Sequence, residues 1–146
     1  MLNSKWISTW GGVGFSPIAP GTMASLVSLL LWIPLMKWGS FGLWAAVWFL
    51  LFALGFWAIG TYQQKTKKHD ASEIVIDEVL GQGLALWACP DHWAFILLAV
   101  GLFRLFDILK PWPISWIDRS LKTPSGVLLD DLMAGIFSAL VIAFIS

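Results

Sequence analysis

Charged residues are scarce in this sequence. Lysine, arginine, aspartate and glutamate together make up 12% of it, whereas about 25% is usual for a soluble domain. Hydrophobic residues account for 58%, so the chain lacks the polar surface that a water-soluble fold needs. We therefore expect an all-α, polytopic membrane protein in which residues 1–146 form one domain. The formal net charge is zero, which gives no reason to expect nucleic acid as a partner.

Cysteine and strand-like patterns are also nearly missing. Cys89 is the single cysteine, which excludes a disulfide within the chain and a cluster of thiolate metal ligands. Apolar and polar residues do not alternate strictly, which argues against the strands of a membrane barrel. The chain instead has eleven tryptophans, which favour membrane interfaces, and long apolar runs. These runs predict about four to five membrane-embedded helices, some of them short. They are Ala24–Met36, Phe41–Gly60, Ile74–Cys89, Trp93–Leu109 and Leu132–Ile145.

The basic residues predict an orientation in the membrane. Cytoplasmic loops carry an excess of Lys and Arg, and Lys65, Lys67 and Lys68 lie in the linker 61–72. With this linker in the cytoplasm, counting helices puts the N-terminus and segment 110–131 on the same side. The turns at 37–40 and 90–92 and the C-terminus are then external. Polar groups that are distant in sequence therefore converge at the cytoplasmic face of what we expect to be a bacterial inner membrane.

Two pairs of acidic residues lie on this predicted face. Asp77 and Glu78 occur within the third apolar run, and Asp130 and Asp131 precede the last one. A carboxylate in lipid costs about 2.5–3.5 kcal/mol, so it needs a partner or a metal ion. Each pair could simply stabilise a helix N-terminus. Together with Asp107, however, the four acids are enough to hold one or two Mg²⁺ ions, because hard cations take carboxylate ligands together with substrate phosphate.

Basic residues accompany these acids. Arg104 and Asp107 are three residues apart and share one helix face, and Lys110 follows near the end of that helix. This pattern is typical of an intrahelical ion pair beside a lysine that reaches toward the interface. It is equally typical of an arginine and a lysine that bind phosphate. Arg119 follows in a predicted loop beside Asp118, and we take Arg104, Lys110 and Arg119 as candidate phosphate-binding residues.

A Gly- and Pro-rich segment, 11–22, precedes the first apolar run. Glycine lets a backbone approach an anion closely, and Thr22 is expected to cap the next helix. Ser16 and Thr22 are therefore candidate substrate-binding residues. The Gly-Lys-Ser/Thr ending of a nucleotide-binding P-loop is missing. The same composition is also typical of a plain structural turn.

The sequence patterns that supply side-chain nucleophiles in known phosphatases are missing. A cysteine phosphatase needs arginine six residues after Cys89, where the chain has Phe95. His69 lies in the basic linker and His92 on the opposite side of the predicted membrane. The segment 122–126 partly matches a membrane acid phosphatase signature, but Val127 stands where that signature needs histidine. The chain also has no Asp-x-Asp-Gly-Thr motif. For a phosphatase, a water activated by a bound metal ion is what remains.

Four segments resemble, in the same order, those of the phosphatidylglycerophosphatase A family. They span nearly the whole chain and are specific as a set. The chain departs from the family's pattern at Asp70-Ala71, at Ala24 and at Ser125-Gly126, and these departures remove no acid. The four segments are Gly14–Thr22 (GFSPIAPGT), Glu73–Gly81 (EIVIDEVLG), Phe103–Ile114 (FRLFDILKPWPI) and Leu129–Gly135 (LDDLMAG).

The resemblance implies Mg²⁺-dependent hydrolysis of the terminal phosphate of phosphatidylglycerophosphate, an anionic membrane phospholipid. On this reading Asp77, Glu78, Asp107 and Asp131 are catalytic and, with Asp130, bind the metal. The residues alone do not distinguish this lipid from phosphatidic acid or lysophosphatidic acid as the substrate. They also do not indicate an oligomeric state. The alternatives are a small transporter or ion-pathway protein, which needs charges throughout the membrane depth, and a scaffold, which leaves both acid pairs unexplained.

Overall fold

Helices account for all the regular structure in the parts of the chain that the computed structural model describes, residues 3–68 and 71–146. His69 and Asp70 lie outside these ranges. A 3₁₀ turn, Val13–Phe15, follows the first helix, and seven α-helices are present in the described residues. They are α1 (Ser4–Ser8), α2 (Pro20–Trp38), α3 (Phe41–Thr66), α4 (Ile76–Trp87), α5 (Trp93–Leu109), α6 (Ile114–Ser120) and α7 (Pro124–Ile145).

Three of these helices, α2, α3 and α7, are long and apolar enough to cross a membrane. The 17 residues of α5 begin and end at the predicted positions. The 12 residues of α4 would cover only about 18 Å at 1.5 Å per residue. The prediction of an all-helical membrane protein is confirmed in this coarse form.

Helix boundaries differ from the predicted ones where polar residues occur. The last helix begins eight residues earlier than expected, and the Oγ1 of Thr123 accepts a hydrogen bond from the Gly126 N–H, 3.3 Å away, at its start. Asp130 and Asp131 therefore lie within α7, about two turns from its first residue, and do not cap it. The prediction that Thr22 caps the first apolar helix was also wrong. Ala19 occupies the capping position, and α2 begins at Pro20.

Two predicted loops are partly helical. α3 continues through Thr66, so the basic linker is shorter than the range 61–72. Asp118 and Arg119, which were expected in a loop, lie in α6. Both extensions carry polar residues. A prediction based on apolar runs leaves such residues out of a helix, but a helix at the membrane interface can include them.

α4 is the most enclosed helix, and it packs most extensively against α7. The two backbones come very close, because a Cβ added at Gly135 would overlap the carbonyl oxygen of Gly81. On the other side, the indole N–H groups of Trp32 and Trp48 donate to the Val79 and Leu80 carbonyls at 2.9 and 3.1 Å. This close packing brings the acidic first turn of α4 next to the acidic second turn of α7.

Candidate active site

The charged segments line one cavity of about 400 Å³. The start of α2, the start of α4, the end of α5, α6 and the first turns of α7 contribute to its wall. Among the described residues, six acids and three bases line it. The acids are Asp77, Glu78, Asp107, Asp118, Asp130 and Asp131, and the bases are Arg104, Lys110 and Lys122.

The floor of the cavity is a group of three carboxylates, two buried and one partly buried, which we call the acid triad: Asp77, Glu78 and Asp131. One oxygen from each lies within 4.8 Å of the other two. Asp77 is only 8% exposed and Asp131 only 4%. One buried oxygen of each residue has no hydrogen-bond partner in the part of the chain that the structure describes. Close carboxylates in a buried place repel one another, and of these three only Glu78 forms an ion pair among the described residues, so the group fits a divalent cation such as Mg²⁺.

Arg104 links the acid triad to Asp107. Its Nη1 donates to Asp107 Oδ2 at 2.6 Å and lies 3.7 Å from Glu78 Oε1. The intrahelical pair considered from the sequence is therefore present, and the same guanidinium also faces the acid triad. Gly21 makes room for this arrangement, since a Cβ there would overlap Glu78 Oε1 and lie 3.0 Å from Arg104 Nη1.

Lys110 forms a second charged bridge. Its ammonium donates to Asp118 Oδ1 at 2.5 Å and to Asp130 Oδ2 at 2.9 Å. Burial by itself would lower the pKa of Lys110, but the hydrogen bonds to these two carboxylates raise the pKa above its usual value. Lys110 therefore stays charged and neutralises Asp130. The other oxygen of Asp130 accepts from the Asp131 N–H at 3.0 Å, which fixes the orientation of that carboxylate.

The predicted site residues divide into two groups. The structure brings seven together around the cavity: Asp77, Glu78, Arg104, Asp107, Lys110, Asp130 and Asp131. It places Ser16, Thr22 and Arg119 outside the described lining. The Ser16 hydroxyl donates to the Ile18 carbonyl at 3.0 Å, and the Arg119 side chain is exposed on α6. The catalytic, metal-binding and substrate-binding roles of all ten stay predictions.

Two charged lining residues were missed by the sequence reasoning. Asp118 was noted only as the neighbour of Arg119 in a predicted loop, but its carboxylate contacts Lys110. Lys122 was considered only as part of segments 110–131 and 122–126, not as a site residue. The signal that could have found it is its position, directly before the Thr123 cap of the helix that carries Asp130 and Asp131.

Cys89 lies at the other end of α4, beyond Trp87, and takes no part in the described lining. Burial raises the pKa of its thiol to about 11, so it is protonated at neutral pH. This agrees with the sequence argument against a cysteine nucleophile.

A family model and three related proteins match most of this chain. The family model described as phosphatidylglycerophosphatase A matches residues 6–146. A protein of that name from Escherichia coli (strain K12) is 36% identical over 99% of this chain and 85% of its own length. The one from Haemophilus influenzae is 38% identical over 90% of this chain and 81% of its own length. A "putative phosphatidylinositol-3-phosphatase" from Bacteroides thetaiotaomicron is 37% identical over 94% of this chain and 89% of its own length. No solved structure matches the chain.

Proposed function

Because this chain belongs to the phosphatidylglycerophosphatase A family, we propose that it hydrolyses phosphatidylglycerophosphate to phosphatidylglycerol and inorganic phosphate. A bond forms between a water oxygen and the terminal phosphorus. The bond from that phosphorus to the glycerol oxygen breaks, and this oxygen becomes a hydroxyl of phosphatidylglycerol. The structural observation that supports this chemistry is the acid triad, whose buried oxygens lack partners among the described residues.

The acid triad would hold the divalent cation, which we propose is Mg²⁺. The carboxylate oxygens of Asp77, Glu78 and Asp131 are ligands of the kind that this hard cation prefers. A cation bound there supplies a Lewis acid that stabilises negative charge on the phosphate and lowers the pKa of a nearby water. Asp107 and Asp130 were predicted as further ligands. In the structure each has an oxygen paired with a base, so we propose that these two position Arg104 and Lys110.

Arg104 and Lys110 are the proposed binding groups for the terminal phosphate. Both line the cavity, and each is held in place by two carboxylates. Arg104 has further N–H donors besides the one that Asp107 uses, and a guanidinium can bind two phosphate oxygens at once. The two bases thus offset part of the charge that the acids and the phosphate bring together.

The position of the cavity suits a membrane-bound substrate. α7 begins at Pro124, close to the cavity, and carries Asp130 and Asp131 in its second turn; from Leu132 to its end at Ile145 it has no charged residue. We propose that the cavity opens on the cytoplasmic face of a bacterial inner membrane and that α4 and α5 are embedded together with α2, α3 and α7. A transporter would need charges along the whole depth of these helices, whereas the described cavity collects them at one end.

The proposal is tested by phosphate release from purified protein in detergent micelles. Phosphatidylglycerophosphate, phosphatidic acid and phosphatidylinositol 3-phosphate are compared at equal surface concentration with Mg²⁺ present. We expect the highest kcat/KM with phosphatidylglycerophosphate. Preference for phosphatidylinositol 3-phosphate would instead assign the chain the activity named for the Bacteroides relative, and no release from any lipid would contradict a phosphatase.

A further inference from the structure

The cavity changes in burial and charge from its floor to its mouth. Asp77 and Asp131 on the floor are almost completely buried, whereas the Asp118 side chain is 42% exposed and Lys122 is exposed. Lys122 stands between α6 and the start of α7. The acid triad lies deeper along α7, because Asp131 is seven residues beyond Pro124, which corresponds to about 10 Å. The positive charge of Lys122 therefore lies at the mouth, apart from the floor where the terminal phosphate would react.

Lys122 differs from the other two cavity bases in its partners. Arg104 and Lys110 each contact two carboxylates, whereas Lys122 forms no ion pair within 4 Å with any residue that the structure describes. Its charge still acts on the cavity. Burial works to raise the pKa of Asp118, but the hydrogen bond and charge of Lys110, together with the charge of Lys122, lower that pKa below its usual value. Lys122 is thus a cavity cation that has a free ammonium for a ligand.

We propose that Lys122 binds the phosphodiester of the substrate and so helps the site select a lipid with two phosphates. The proposal rests on the function proposed above. Phosphatidylglycerophosphate carries a terminal phosphomonoester and, one glycerol away, a phosphodiester next to its acyl chains. When the monoester reaches the acid triad, the diester must remain nearer the mouth. Phosphatidic acid has no phosphodiester and would gain nothing from Lys122.

The surroundings of Lys122 fit this end of a lipid. Leu121, its neighbour in sequence, lines the cavity and is 37% exposed. Trp112 and Trp116, just before and within α6, are 79% and 60% exposed. Tryptophans are enriched at the level of the lipid headgroups, where the diester of a bilayer phospholipid lies. The lysine ammonium, a compact charge on a flexible stem, suits one diester phosphate that carries a single negative charge.

The test compares Lys122→Gln and Lys122→Arg with wild type in purified form. Lys65→Gln is the matched control, because it also removes one exposed positive charge but at the end of α3 and outside the described lining. Turnover of phosphatidylglycerophosphate is measured, together with inhibition by its two products. Phosphatidylglycerol keeps the diester, whereas inorganic phosphate represents the released group.

In Lys122→Gln we expect the KM for phosphatidylglycerophosphate and the inhibition constant of phosphatidylglycerol each to rise about 10-fold, as for the loss of one charge-assisted contact. The kcat and the inhibition by inorganic phosphate should stay within about 2-fold of wild type. Lys122→Arg should restore most of the affinity, and Lys65→Gln should match wild type.

Unchanged KM and unchanged phosphatidylglycerol inhibition in Lys122→Gln would overturn the proposal. So would an equal weakening of inhibition by both products, because Lys122 would then act on the terminal phosphate. Both of these results require that the wild-type protein turns over phosphatidylglycerophosphate. Absence of wild-type turnover would instead overturn the proposed function, and the Lys122 assignment with it.

Discussion

Gly21→Ala should lower the activity while leaving the stability of the fold almost unchanged. Gly21 is the second residue of α2, and a Cβ there would overlap Glu78 Oε1 and approach Glu78 Cδ at 2.9 Å and Arg104 Nη1 at 3.0 Å. These atoms belong to the ends of flexible side chains, so we expect α2 to stay in place and the two side chains to move by about 1 Å. Misplacement of this size costs roughly 100-fold in rate, or about 2.7 kcal/mol of transition-state stabilisation.

The stability of this variant should change little. Alanine is favoured over glycine within a helix by about 0.5–1 kcal/mol, which offsets part of the strain between the new methyl group and Glu78. The assay is kcat/KM for phosphatidylglycerophosphate, with Tm measured on the same preparation. Gly101→Ala in α5 is the matched control, because no atom lies within 4 Å of its added Cβ. Wild-type kcat/KM in folded Gly21→Ala would refute the placement of Glu78 and Arg104 in the active site.

Three further predictions concern the acids, the arginine and the groups outside the cavity. Asp77→Asn and Asp131→Asn should each lower kcat by more than about 100-fold at saturating Mg²⁺ while circular dichroism shows intact helices, and a wild-type rate would remove that residue from the site. Arg104→Lys should lose most of the rate and Arg104→Ala nearly all of it, because lysine lacks the planar fork; near-wild-type turnover of folded Arg104→Lys would leave Arg104 only its ion-pair role. Cys89→Ala and His92→Ala should keep wild-type kcat/KM in the same assay. A large loss in either variant would indicate that this side chain acts as a nucleophile.

The sequence predicted α5 well because strong local signals bound it. His92 precedes the helix and its Nδ1 accepts from the Ala94 N–H at 3.3 Å, and Pro111 follows its end. The sequence failed at α7 for a specific reason. Charges usually end an apolar run, so Asp130 and Asp131 were taken as its boundary. In the structure they are buried in the second turn against α4 and Lys110, and this packing is a tertiary property.

The candidate site, like the fold, could be predicted from the sequence only in part. The clustering of four sequence-distant polar segments, three of them charged, was predicted from the number of helices between them, and the described cavity brings these segments together. The sequence could not divide the acids by environment. Asp107 and Asp130 look like Asp77 and Asp131 in the sequence, but only the first two contact a base directly. Which acids contact a base depends on how side chains from different helices point toward one another. The position of Lys122 in the cavity wall depends on the same packing.

The most direct test of the central claim is the rate of phosphate release from phosphatidylglycerophosphate by purified protein in excess chelator, followed by titration with Mg²⁺. If the acid triad holds a cation on which hydrolysis depends, release should fall to background in chelator and return to the original rate as Mg²⁺ is restored. Full release in excess chelator would contradict the account.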